Sequence, residues 1–104
     1  MEFITVFITA PGEQEAGKIA LKLVEEKLAG CVNIVNNIRS VYRWKGRIED
    51  DHEVLMILKT RRELFERLKE RVVELHSYDV PEIIALPVVA GSEEYLKWLG
   101  EETV

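Results

Sequence analysis

The chain has 104 residues, near the commonest size for one domain, and can bury a core without metal or disulfide staples. Fourteen Lys and Arg against nineteen Asp and Glu leave a formal charge of -5, and no basic cluster exceeds Arg61-Arg62, which argues against a nucleic-acid or anionic-membrane partner. With no apolar run of about 18 residues, a strand pattern from the first residues and a lone Cys31, the expectation is a single soluble domain over residues 1–104, cytoplasmic in location.

Phe3 to Thr9 is β-branched and aromatic throughout and reads as a first strand, broken by Pro11-Gly12. Ala16, Ile19, Ala20, Leu23 and Val24 then recur at helical spacing, with Glu13 and Glu15 at the acid-favouring end and Gly30 where a left-handed cap is wanted. Cys31 to Ile38 is extended, with Val32, Ile34 and Ile38 on one parity and Asn36-Asn37 as a kink or bulge. A long hairpin follows. Tyr42, Trp44 and Ile48 share a parity, and so one face of a strand that runs past a bulge at Gly46 to a turn at Asp50-Asp51. The return strand sets Val54, Met56 and Leu58 on one face and Leu55 and Ile57 on the other, so both faces want cover.

Thr60-Arg61-Arg62-Glu63 reads as a capping box that starts a second helix, with Leu64, Leu68, Val72 and Leu75 as its buried stripe and His76 at its end. Pro81 opens a last strand through Val89. Pro87 puts that strand at a sheet edge, because its missing N–H cannot serve a central ladder. Gly91-Ser92 starts a short final helix with Tyr95, Trp98 and Leu99 as its apolar side. This order predicts an α+β, ferredoxin-like fold: βαββαβ plus a C-terminal helix, an antiparallel sheet with helices on one face, and the first and third strands central. The hairpin is longer than such a sheet needs, and exposed Tyr42, Trp44 and Ile48 would invite aggregation unless another subunit covered them, so an obligate oligomer is expected.

Five blocks carry a family resemblance: Leu28 through Ile34, Ser40 through Glu49, Glu53 through Thr60, His76 through Ile83, and Tyr95 through Leu99. In this order and spacing they resemble the CutA divalent-ion tolerance proteins, and they span nearly the whole chain. The resemblance implies a ferredoxin-like subunit in a tight homotrimer, edge strands paired between subunits, kinship with the trimeric PII signalling proteins, and a part in tolerance of divalent metal, copper above all. In some members metal ligation is attributed to a Cys on the first strand and a His pair before the motif's Tyr. The aligned positions here are Ile8 and Leu75-His76, so only His76 remains and a copper site of that kind is incomplete.

Several residues could form sites. His76, Tyr78 and Glu82 bracket a loop that also holds Asp79 and the rigid Pro81; imidazole with carboxylate suits copper or zinc, and Cys31 could add a thiolate if the fold brought it near. A His in the last turn of a helix is more often a cap on its carbonyls, and a lone Cys more often an ordinary strand residue. Glu49, Asp50, Asp51, His52 and Glu53 could hold a hard cation weakly, though acids at a turn are usually solvated turn formers. Tyr42, Trp44, Lys59, Tyr78 and Trp98, with Glu82 nearby, could line an intersubunit cleft for a small anion, or the aromatics could be interface core with Lys59 paired to Glu53 or Glu82.

No Gly-rich phosphate loop, nucleophile elbow, His-Glu-x-x-His helix or Cys-x-x-Cys pair occurs, which argues against an enzyme. The leading expectation is a non-enzymatic homotrimer of copper tolerance that requires no cofactor and binds copper or another divalent cation weakly. The alternative is a PII-like signalling trimer with a small effector or protein partner at the cleft.

Overall fold

The computed structural model describes Met1–Val104 and builds one antiparallel sheet of four strands: β1 (Phe3–Ala10), β2 (Cys31–Trp44), β3 (Arg47–Arg61) and β4 (Ile83–Pro87), in the order β2-β3-β1-β4. Helix α1 (Glu13–Glu25) carries the chain from β1 past β3 to β2, and α2 (Phe65–Leu75) carries it from β3 past β1 to β4. That is the ferredoxin-like arrangement, with β4 at an edge and Pro87 opposite Ile4. Helix α3 (Glu93–Glu101) follows, its first turn capped by Ser92, whose hydroxyl accepts from the Tyr95 N–H.

Alternation along the central strands decides which face is dry. Ile4, Val6 and Ile8 of β1 and Val54, Met56 and Leu58 of β3 join Ala16, Ile19 and Leu23 of α1 and Leu68 and Val72 of α2 in one buried cluster. Each large side chain so buried contributes about 1.5–3 kcal/mol. The register puts Phe7, Leu55 and Ile57 on the opposite face beside Val35, Ile84 and Leu86, which are exposed. Helix α3 reaches only one end of that face. There Arg61 donates to the carbonyls of Gly100 and Thr103 and to Thr103 Oγ1, the latter two at 2.9 and 3.0 Å. Its Leu99 is buried, but Tyr95 and Trp98 remain largely exposed in the single subunit.

Four local expectations are corrected. The cap of α1 is a Schellman turn centred on Lys27 (φ 60°), in which the N–H groups of Lys27 and Leu28 return to the carbonyls of Val24 and Leu23 at 3.1 and 2.9 Å. Gly30 has another reason to be small: a Cβ there would collide with Leu99 Cδ1. The hairpin turns at Lys45-Gly46, not at Asp50-Asp51. Trp44 pairs with Arg47, and both turn residues have positive φ (51° and 77°), the type I′ condition that matches strand twist. Because Arg43 is then opposite Ile48, that isoleucine lies on the other face from Tyr42 and Trp44. Finally, Thr60 is no cap. It belongs to β3, opposite Ile4, and its buried hydroxyl donates to the Leu28 carbonyl at 2.6 Å, while a single 3-10 turn, Arg62–Leu64, leads into α2. The irregularity expected at Asn36-Asn37 is present: the β2–β3 register slips between Val35 and Ile38, with Asn37 at φ 61°.

Candidate functional site

Beyond the bulge, β2 and β3 continue through seven residue pairs, Ile38–Glu53 to Trp44–Arg47, about 23 Å of ribbon at the rise of a strand. The molecule is accordingly 44 Å long against 25 and 22 Å. The loop after α2 folds against the base of this ribbon and closes a cleft of about 640 Å³ lined by Thr9, Arg39, Ser40, Val41, Tyr42, Trp44, Glu53, Tyr78, Asp79, Val80 and Glu82.

His76 fixes that loop. As the C-cap of α2 it sends its N–H back to the Val72 carbonyl, its Nε2 is 2.7 Å from the Thr9 carbonyl, and Nδ1 accepts the Tyr78 N–H at 3.1 Å. Those partners set the tautomer with the proton on Nε2. Glu15 Oε2 lies 3.4 Å from Nδ1, but it accepts from both the N–H and the hydroxyl of Ser77. The imidazole also packs against the Tyr78 ring, centroids 4.7 Å apart, and so sets where that tyrosine reaches.

The two tyrosines of the cleft each end on a carboxylate. Tyr78 donates to Glu53 Oε2 at 2.7 Å, and its phenol is pushed well above the ordinary range by burial and then by this bond. Tyr42 donates to Asp51 Oδ2 at 2.8 Å and is pushed up to about 12, chiefly by that bond. On the other face of the ribbon, Arg39 clasps Asp50 with two bonds of 2.8 and 2.6 Å, which hold the aspartate below its usual value. Residues 49–53 are therefore strand residues alternating between two faces rather than a turn that could converge on a cation.

Tyr42, Trp44, Tyr78 and Glu82 thus line one cleft within a single chain, where the sequence reading placed them between subunits. Lys59 does not join them within one subunit: it lies opposite Cys31 and Thr5, and its ammonium bonds Asn33 Oδ1 rather than Glu53 or Glu82. Trp98 sits on α3 with its ring 5.5 Å from that of Tyr95. The two proposed metal residues are also apart. Cys31 shares its row with Thr5 and His76 bonds Thr9, four residues further along β1, or about 13 Å. No group of three or more His, Cys, Asp and Glu side chains is placed to hold a metal ion. Sequence reasoning missed Thr9, Arg39, Ser40, Val41, Glu53, Asp79 and Val80 as lining residues; which residues meet along the ribbon depends on a bulge whose size a sequence does not state.

A family model described as "CutA1 divalent ion tolerance protein" matches residues 4–102. The divalent-cation tolerance protein CutA of Thermus thermophilus is 54% identical over 98 residues, covering 94% of this chain and 95% of that one. A solved structure of a Cut A1 protein from the same organism superposes with a TM-score of 0.96 at 52% identity, covering 98% of this chain and 99% of the other. The chloroplastic CutA of Arabidopsis thaliana is 51% identical across 96% of this chain, which spans 55% of that protein's length. A structure from Archaeoglobus fulgidus, titled as a periplasmic divalent cation tolerance protein, is 44% identical with a TM-score of 0.93 and covers 96% and 97% of the two chains.

Proposed function

This chain belongs to the CutA1 divalent ion tolerance family, and from that premise we propose that it serves divalent-cation tolerance as a non-enzymatic cytoplasmic homotrimer that binds copper weakly. The observation that carries the reading is the likeness over residues 4–102 to proteins named for that tolerance. The uncovered apolar face around Val35, Ile84 and Leu86, together with the exposed rings of Trp44 at the hairpin tip and Trp98 on α3, supports assembly, because a monomer would leave them to water. The single free Cys31 suits a reducing compartment.

Metal is not structural in this reading. His76 spends both ring nitrogens inside the fold and Cys31 stands alone on its strand, so copper would be held by few ligands, exposed or shared between subunits. The test is calorimetric titration of the assembled protein with copper, zinc and nickel, beside His76→Ala and Cys31→Ser, with sedimentation before and after chelation. Weak binding with copper ahead of zinc and nickel, and a trimer indifferent to chelation, is expected. A folded monomer at low micromolar concentration, or assembly that fails when metal is removed, would overturn it. Unchanged copper affinity in both variants would remove these two residues from any metal role.

A further inference from the structure

The cleft at the base of the hairpin is negative inside. Three carboxylates line it, those of Glu53, Asp79 and Glu82, and the one cationic residue in its lining, Arg39, turns its guanidinium to Asp50 on the other face of the ribbon. Glu53 is the unusual member. It is only 6% exposed, it receives one hydrogen bond from Tyr78, and it takes part in none of the chain's ion pairs. A carboxylate withdrawn from water without a counter-charge is costly, and a cation arriving in the cleft would relieve that cost.

The walls suit an organic cation better than a bare ion. Both phenols are occupied as donors to carboxylates, Tyr78 to Glu53 and Tyr42 to Asp51, so they have no proton to offer an anion and present ring surface instead. Trp44 lines the same space, and the Lys45 ammonium lies 5.7 Å from its ring centroid, so that ring already takes a cation on one face. A cleft of about 640 Å³ is also far larger than one dehydrated metal ion needs, and no three metal-ligating side chains converge in it. The anion considered from the sequence relied on Lys59 across a boundary between subunits; within one chain that lysine is held by Asn33, so this cleft has no ammonium of its own to offer an anion.

We propose that this cleft binds a small organic cation of the alkyl diamine or polyamine class, one ammonium on Glu53, a second toward Glu82, and the chain between them against Tyr42, Trp44 and Tyr78. This site is independent of the copper reading, since it uses neither His76 nor Cys31.

The chain has two tryptophans, so Trp98→Phe leaves Trp44 as the only reporter in the full-length assembled protein. Titration with 1,4-diaminobutane and with spermidine should change its emission saturably, with calorimetry on the wild type giving the same midpoint, and with inorganic phosphate and citrate silent. Glu53→Gln should raise the midpoint about tenfold or more, the loss of one charge-assisted bond. The exposed Glu82→Gln should raise it about two- to threefold, and decides the matter if Glu53→Gln does not fold. No saturable heat with either amine, a response to the anions instead, or both variants titrating like wild type would overturn the proposal. A cleft already filled by a second copy of the chain gives the first of these outcomes and overturns it equally.

Discussion

From Val54 to Thr60, β3 lies between two strands and under two helices; from Arg47 to Glu53 the same strand has β2 alone beside it. The inner half alternates buried Val54, Met56, Leu58 and Thr60 with half-covered Leu55, Ile57 and Lys59. In the outer half two of the acids are tied diagonally to β2: Asp50 to Arg39 on one face, Asp51 to Tyr42 on the other. One strand, its ladder to β2 broken only by the bulge, thus joins a segment held by apolar burial to one held by a tight turn, polar diagonals and whatever covers its rings. A two-stranded ribbon alone is marginal in water, so the outer half borrows its order from the inner.

The widest gap between the halves should appear on truncation. Leu58→Ala empties a site that is 0% exposed and should cost about 2–5 kcal/mol in denaturant unfolding, whereas Ile48→Ala, at a side chain 63% exposed, should cost less than about 1 kcal/mol. A cost at Ile48 equal to that at Leu58 would mean that the ribbon's second face is as deeply covered as the core. Next in size is the turn. Gly46 sits at φ 77°, where a Cβ meets no neighbour yet the backbone itself disfavours one, so Gly46→Ala should cost about 1–2 kcal/mol without changing the core. Hydrogen exchange should place that loss in the amides from Tyr42 to Glu49 and leave those of Val6 to Ile8 protected. Faster exchange in β1 would show the two halves to be one cooperative unit.

Much of this division is legible in the sequence, and the errors have physical causes. Element order follows from hydrophobic period, the edge position of β4 from Pro87, and the bulge from Asn36-Asn37. The turn was misplaced because Asp50-Asp51 has the composition of a turn, while Lys45 must adopt a left-handed conformation that its side chain does not advertise. Once the turn moves, Ile48 changes face and the acidic run becomes two rows. Thr60 misled for a similar reason. Its spacing to Glu63 suits a capping box, but the pairing with Ile4 and the open carbonyl of Leu28 hold it in the strand. At the cleft, parity brought Tyr42 and Trp44 together, and the short loop from His76 brought Tyr78 and Glu82 to them. Lys59, opposite Cys31, and Trp98, on α3, lie away from this cleft within the one chain; the sequence reading joined them to it across a boundary between subunits.

The smallest expected effect separates the tyrosines rather than the halves. All three phenols are raised: Tyr42 by its bond to Asp51, Tyr78 by burial and Glu53, and Tyr95 by burial and Cys31. An unperturbed phenol near pKa 10 is about nine-tenths ionised at pH 11, yet Tyr42, with a folded value of about 12, should remain mostly protonated there. A folded value above the unfolded one means that the folded chain holds the proton more tightly. The Tyr42 bond therefore stabilises fully below pH about 10 and its contribution fades as pH rises through about 12. Tyrosinate absorbance at pH 11 should stay at or below one phenolate per chain while far-UV dichroism reports an intact fold, and should rise beyond that only as the fold is lost or pH 12 is passed. Tyr42→Phe should flatten the stability profile across that window. More than one full phenolate per chain at pH 11 with the fold intact would show that the carboxylate bond of Tyr42 or of Tyr78 is absent in solution, and the same titration repeated on Tyr42→Phe would tell whether it is the one on the ribbon.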